Sequence, residues 1–252
     1  MEWIAMALAA MLAGGIDAIA GGGGLVMLPA LFAAYPTTAA ATLLGTNKAT
    51  SVWGTAMAAW RYSQRVPLCW RTMLPAAASA FVASWAGAWT VTLLPSDVLR
   101  RLLPLVLLLV LLYTLSKKEF GRTHTPRFSG KKEVLFASLI AVSIGFYDGF
   151  FGPGTGSFFI FLLVRVLGYD FLHASVSAKL LNFSTNVAAI VLFGSKGHVW
   201  WPLALTLGAA NVVGSLLGTH LALRHGAGFV RGIFIAAVGV LILKTGWDAF
   251  LR

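Results

Sequence analysis

Between Gly145 and Asn186 the chain reads GFYDGFFGPGTGSFFIFLLVRVLGYDFLHASVSAKLLNFSTN, and this stretch limits the fold more than any other. Asp148 and Lys179 stand in long apolar runs. Ionisable residues at membrane depth are costly, so they face the interior of a helix bundle and mark a substrate or ion path. Between them Gly149, Gly152, Pro153, Gly154 and Gly156 prevent one continuous helix, because proline removes a backbone donor and glycine weakens helix propensity. Irregular backbone survives at that depth only when packed in protein or lining a cavity. The stretch therefore predicts a polar site inside a bundle.

The same pattern occurs earlier in the chain at an ungapped offset of 131 residues. Gly14, Asp17, Gly21, Gly23, Lys48, Trp70, Leu74, Ser84, Gly87 and Arg100 fall on Gly145, Asp148, Gly152, Gly154, Lys179, Trp201, Leu205, Ser215, Gly218 and Arg231. The rare acid and lysine recur together at one spacing, as expected of a transporter built from a duplicated bundle.

Composition decides the class. Of 252 residues 58% are hydrophobic and 11% charged, too apolar for a water-soluble domain. The net charge of +11 does not point to nucleic acid, because the basic residues sit mostly between hydrophobic runs and no basic recognition helix is present. Cys69 is the single cysteine, so no intrachain disulfide or cysteine-rich metal site can form.

The expected fold is all-α: a polytopic membrane helix bundle of about eight transmembrane segments, arising by internal duplication, with a broken helix at the start of each repeat. Residues 1–116 form the first repeat, 117–132 a basic cytoplasmic linker and 133–252 the second repeat. The first broken block runs to about residue 34 and is split by the Gly21 to Gly24 run. Spans are expected at about 38–60, 72–94 and 99–115, then a second broken block over 133–165 and spans at 171–193, 200–223 and 229–250. Each broken block is long enough for one tilted span and too short for two, which predicts eight crossings with both termini cytoplasmic. Loop charge does not separate this from re-entrant blocks, since each topology leaves five basic residues outside. Trp3, Trp200, Trp201 and Trp247 read as interface anchors. His198, His220 and His225 lie at loop or helix ends and are weak ligand candidates.

Lys179, Asn182 and Asn186 follow an i, i+3, i+7 spacing and share one helical face with Ser175. The corresponding helix of the first repeat offers Thr46, Asn47 and Lys48. Two lysines with amide and hydroxyl donors suit an oxygen-rich anion. Gly23, Gly24, Gly154 and Gly156 would add backbone N–H groups, with helix N-termini aimed into the site. The inferred ligand is a small oxyanion, with Lys48, Lys179, Asn47, Thr46, Asn182, Asn186, Ser175 and those four glycines as its binding residues. Asp17 and Asp148 make poor anion ligands. They read as lysine partners or proton carriers, Asp148 being the better candidate for coupling.

Other readings stand beside this one. Lys48 could pair with Asp17, and Lys179 with Asp148, simply to fix helix packing. The glycines could serve close packing alone. No nucleophile–base constellation, metal-ligand spacing or cofactor motif is present, and no ATP-binding motif.

The segments GFYDGFFGPGTGSFF, SAKLLNFSTNVAAIVLFGSKGHVWW, AGGIDAIAGGGGLVMLPAL and LLGTNKATS together resemble the TauE/SafE family of membrane transporters, in particular its YfcA-like members. The resemblance covers nearly the whole chain. It implies a multi-pass inner-membrane protein of duplicated four-helix units, in a family linked to export or uptake of sulfite, sulfonates and related organosulfur anions. The combined expectation is a secondary transporter, not an enzyme, moving a small sulfur-containing anion by alternating access, with protons as candidate coupling ion. A passive anion channel, or a membrane-embedded enzyme or accessory subunit, is the alternative.

Overall fold

A computed structural model describes residues 2–115 and 124–224. The expected span 229–250, with Arg231 and Trp247, lies outside these, as do His225 and residues 117–123 of the basic linker. The described residues are helical with no strand: α1 (Glu2–Ala20), α2 (Gly24–Ala34), α3 (Ala40–Ser63), α4 (Trp70–Thr92), α5 (Ser96–Leu115), α6 (Gly130–Phe150), α7 (Thr155–Leu162), α8 (Phe171–Ser195) and α9 (Trp201–Arg224). A π-helical turn, Leu163–Leu167, extends α7. Helix α6 begins at Gly130, so the last linker residues, Lys131 and Lys132, form its first turn.

Four of these helices are long and apolar enough to cross a membrane: Trp3–Ala20, α6, α8 and α9. The protein is a multi-pass helical bundle. Its outward faces carry large apolar side chains, among them Trp3, Leu8, Leu12, Leu105, Leu109, Leu139 and Val191. In water such a surface would aggregate, whereas in lipid it is the ordinary exterior.

Each broken block differs from the single tilted span expected of it. A full-length helix, of 19 residues in α1 and 21 in α6, is followed by a short one of 11 or 8 residues. After α1, Gly23 lies back beside the Ala13 carbonyl and the Asp17 side chain, although residues ten apart on a straight helix are separated by about 15 Å. After α6, the Phe158 ring meets Tyr147 edge-on with centroids 5.4 Å apart. The chain thus turns sharply at both breaks. Gly21, Gly152 and Gly154 make the turns at φ +76°, +90° and +77°, a region closed to most other residues.

Small residues bring the long helices together. A β-carbon at Gly149 would lie 1.9 Å from the Ser84 carbonyl oxygen, and one at Gly145 2.8 Å from that of Ala80, so α6 and α4 pack backbone to backbone. Helices α1 and α9 do the same, with Gly14 against the Asn211 carbonyl and Gly214 against that of Met11. The side-chain bonds follow suit: the Ser84 hydroxyl donates to the Thr185 carbonyl at 2.8 Å, and the Ser215 hydroxyl to that of Gly54 at 2.6 Å. Adding 131 to Gly14 and Ala80 gives Gly145 and Asn211, and adding it to Ser84 and Gly54 gives Ser215 and Thr185, so these contacts correspond between the halves, and each joins one half of the chain to the other. Gly149→Ala should therefore force α4 and α6 apart and cost at least about 1–3 kcal/mol. Thermal unfolding of the purified protein measures this, with Gly194→Ala as control, since a β-carbon there would make only an ordinary 3.5 Å contact with the Trp201 ring.

Candidate functional site

The two acids sit near the C-terminal ends of α1 and α6, one turn before the breaks. The two lysines lie well inside α3 and α8. All four are buried, with Lys179 fully so. Unpaired charge in such surroundings is prohibitively costly, and each charge has an opposite partner. The pairing runs across the halves: Lys48 Nζ lies 2.6 Å from Asp148 Oδ2, and Lys179 Nζ 3.2 Å from Asp17 Oδ2. The pairing within each half, Lys48 with Asp17 and Lys179 with Asp148, is not the one adopted. The reason is the interleaving of the halves, since α8 packs against α3 and both breaks meet at the centre. There the Gly21 carbonyl accepts from the Ser157 N–H at 3.3 Å, and Gly24 packs on Pro153.

The two pairs are not identical. Lys179 Nζ also donates to the Asp17 backbone carbonyl, near the end of α1, where exposed carbonyls and the helix dipole favour a cation. The Thr55 hydroxyl donates to Asp17 Oδ2 at 3.2 Å. Asp148 instead takes the Thr155 hydroxyl on Oδ1 at 2.6 Å. Its other oxygen faces Lys48 by distance but accepts no well-aligned hydrogen bond. Asp17 is thus tied to α3 and α8, while Asp148 is tied to the first residue of the short helix that follows its own break. Tyr147 does not reach the acid as a hydrogen-bond donor; its hydroxyl donates to the Pro153 carbonyl at 2.6 Å and braces the turn.

The polar stripe of α8 is buried throughout, with Ser175, Lys179, Asn182 and Asn186 all at most 6% exposed. On α3, Thr46, Asn47 and Lys48 are equally buried. Asn47 Oδ1, Thr50 Oγ1 and Ser175 Oγ have no hydrogen-bond partner. Thr46 is already committed, donating to the Thr42 carbonyl and accepting from the Trp200 N–H at 3.0 Å. That bond joins α3 to the start of α9. The glycines divide similarly. Gly23 and Gly156 are explained by close packing, since β-carbons there would lie 2.6 Å from the Ala13 oxygen and 2.4 Å from Gly21 Cα. Gly154 serves the turn by its φ, and Gly24 makes only ordinary contact. The N-terminus of α7 faces the end of α1, with the Ser157 hydroxyl donating to the Ala20 carbonyl at 2.5 Å. The expectation that this N-terminus aims into an open ligand site is therefore replaced by its packing on the end of α1.

A profile described as sulfite exporter TauE/SafE matches residues 6–245. The chain belongs to this family. Its relatives in the TauE/SafE family include a probable membrane transporter protein, ORF9, of a Sinorhizobium species, 36% identical over 94% of this chain and 89% of the relative. The probable membrane transporter protein YfcA of Escherichia coli K12 is 35% identical over 95% and 88%. A probable membrane transporter protein of Haemophilus influenzae is 31% identical over 92% and 90%. No solved structure matches the chain significantly.

Sequence spacing missed several residues. Thr55 and Thr155 had no signal beyond being hydroxyls near an acid in space. His124, Asp170 and His173 gather at the junction of the linker with α8, which spacing alone did not reveal because His124 lies 46 residues from Asp170.

Proposed function

We propose that the chain is a secondary transporter of a small oxyanion or organosulfonate in the cell's inner membrane, working by alternating access between two repeats. The observation that carries this reading is the pair of buried ion pairs exchanged between the halves, beside buried polar atoms that no protein group satisfies. An unsatisfied buried hydroxyl or amide oxygen costs about 1–3 kcal/mol, a cost that water or a ligand removes. Asn47, Thr50 and Ser175 supply such groups on the two helices that carry the lysines. The matched contacts at the 131-residue offset support the reading of two duplicated repeats. The family description, sulfite exporter, supports a sulfur oxyanion as the substrate class.

The pairing suggests how coupling works. While Asp148 is ionised, Lys48 is neutralised and offers an anion little. A proton delivered to Asp148 removes that competitor, and the Lys48 ammonium then offsets part of the dehydration cost of the incoming anion. Anion and proton thereby favour each other and travel together. Lys179, held by Asp17 and by the end of α1, anchors the opposite pair. Thr155 links the Asp148 carboxylate to α7, so a change at this acid reaches the break directly.

Uptake into proteoliposomes tests the assignment, with sulfite, sulfate, thiosulfate and taurine as probes. A transporter gives saturable, gradient-dependent uptake of at least one of them, reduced more than tenfold in Lys48→Met. Non-saturating conductance would show a channel instead. Normal uptake by a correctly inserted Lys48→Met protein would leave that lysine a packing role only.

A further inference from the structure

At one end of the bundle, away from the lysine and acid pairs, the chain holds a cluster that the transport chemistry does not use. His173 Nδ1 lies 2.8 Å and His124 Nδ1 3.8 Å from the same oxygen, Asp170 Oδ2. The two imidazoles stack with centroids 4.0 Å apart. One ligand atom from each of the three residues can be chosen so that all lie within 4.8 Å of one another. All three remain partly open to solvent, with side chains 22–35% exposed.

The surrounding backbone holds the cluster in place. Linker residues 125 and 127 bond to the turn before α8, with the Thr125 N–H donating to the Gly168 carbonyl and the Arg127 N–H to that of Leu167, both at 2.9 Å. Gly168 adopts φ +77°, and a β-carbon there would lie 2.1 Å from the Thr125 oxygen. Asp170 caps α8, its Oδ1 accepting from the His173 N–H at 2.8 Å. Partial burial pushes its carboxyl up, but the hydrogen bonds from His173 outweigh that and hold it below the ordinary carboxylate range.

We propose that His124, Asp170 and His173 form a binding site for a divalent transition metal such as zinc, which clamps the end of the inter-repeat linker to the start of α8. Two imidazoles and a carboxylate suit zinc, nickel or cobalt and not the all-oxygen shells of calcium or magnesium. With metal–ligand bonds of about 2.0–2.2 Å in a tetrahedral shell, ligand atoms stand about 3.3–3.5 Å apart, between the 2.8 and 3.8 Å found here. Small side-chain rotations close the set. The metal takes the place of the His173–Asp170 side-chain bond and of the long 3.3 Å bond from the Asp170 N–H to His124. The exposed side leaves a fourth position for water. Because α8 carries Lys179 nine residues after Asp170, metal occupancy would stiffen the base of a helix that bears the proposed transport site.

The test uses the full-length protein without a histidine tag, purified in detergent, stripped with EDTA and titrated with ZnCl2 by calorimetry and thermal unfolding. One equivalent of zinc should bind and raise the melting temperature. His124→Ala and His173→Ala should each weaken binding at least tenfold, while His220→Ala leaves it unchanged. His124 lies outside every helix, so its variant separates ligand loss from misfolding. Absence of saturable zinc binding, or equal affinity in wild type and His124→Ala, would overturn the proposal.

Discussion

Lys179→Met should lower stability by about 3–5 kcal/mol, the usual cost of removing one partner from a buried pair. The methionine fills the space of the lysine stem, so the loss comes from the charge left on Asp17 and from the lost ammonium bond to the Asp17 carbonyl. The double variant Asp17→Asn, Lys179→Met removes both charges and should recover most of the loss at neutral pH. Thermal unfolding of the four proteins completes a double-mutant cycle. Additive losses would show that the two residues do not interact.

Asp148→Asn should act differently. The amide keeps the size of the acid and can still accept from Thr155, but it carries no charge and no exchangeable carboxyl proton. Lys48 then has no carboxylate partner at any pH, so the empty protein loses stability as it does in Lys179→Met, while the ammonium stays available to an anion. Anion binding should persist, while accumulation of anion driven by a pH gradient in proteoliposomes should fall at least tenfold. Asp17→Asn, by contrast, should mainly reduce the amount of folded protein, because Asp17 joins α1 to α3 through Thr55 and to α8 through Lys179. An Asp148→Asn protein that still concentrated anion under a proton gradient alone would refute the coupling role.

The helices were legible because apolar run length and loop residues mark them directly. The expected span 171–193 is α8 at Phe171–Ser195, and 200–223 is α9 at Trp201–Arg224. The stripe Ser175, Lys179, Asn182 and Asn186 was legible too, since helical periodicity places these residues on one face and all four are buried. The choice of partner was not. Two acids and two lysines at one repeated spacing allow two equally symmetric pairings, and only the way the halves interleave selects Lys48 with Asp148 and Lys179 with Asp17. The sharp turn at each break was also hidden. Glycine runs signal that a helix ends but not where the chain goes next, which here depends on Gly21 meeting Gly156 across the halves. The same limit explains why Thr46 read as a ligand: its committed bond to the Trp200 N–H joins residues 154 positions apart.

The most direct measurement is the pH dependence of anion affinity in the purified protein, using sulfate or thiosulfate, which do not themselves titrate between pH 6 and 8. If one proton enters Asp148 with each anion, affinity rises about tenfold for every unit the pH falls, within the range where the free protein is still deprotonated there. Wild-type protein should show this slope, and Asp148→Asn should bind the same anion with no such slope. A wild-type affinity that is flat across that range, or a slope that survives in Asp148→Asn, would contradict the exchange of a buried ion pair for anion and proton.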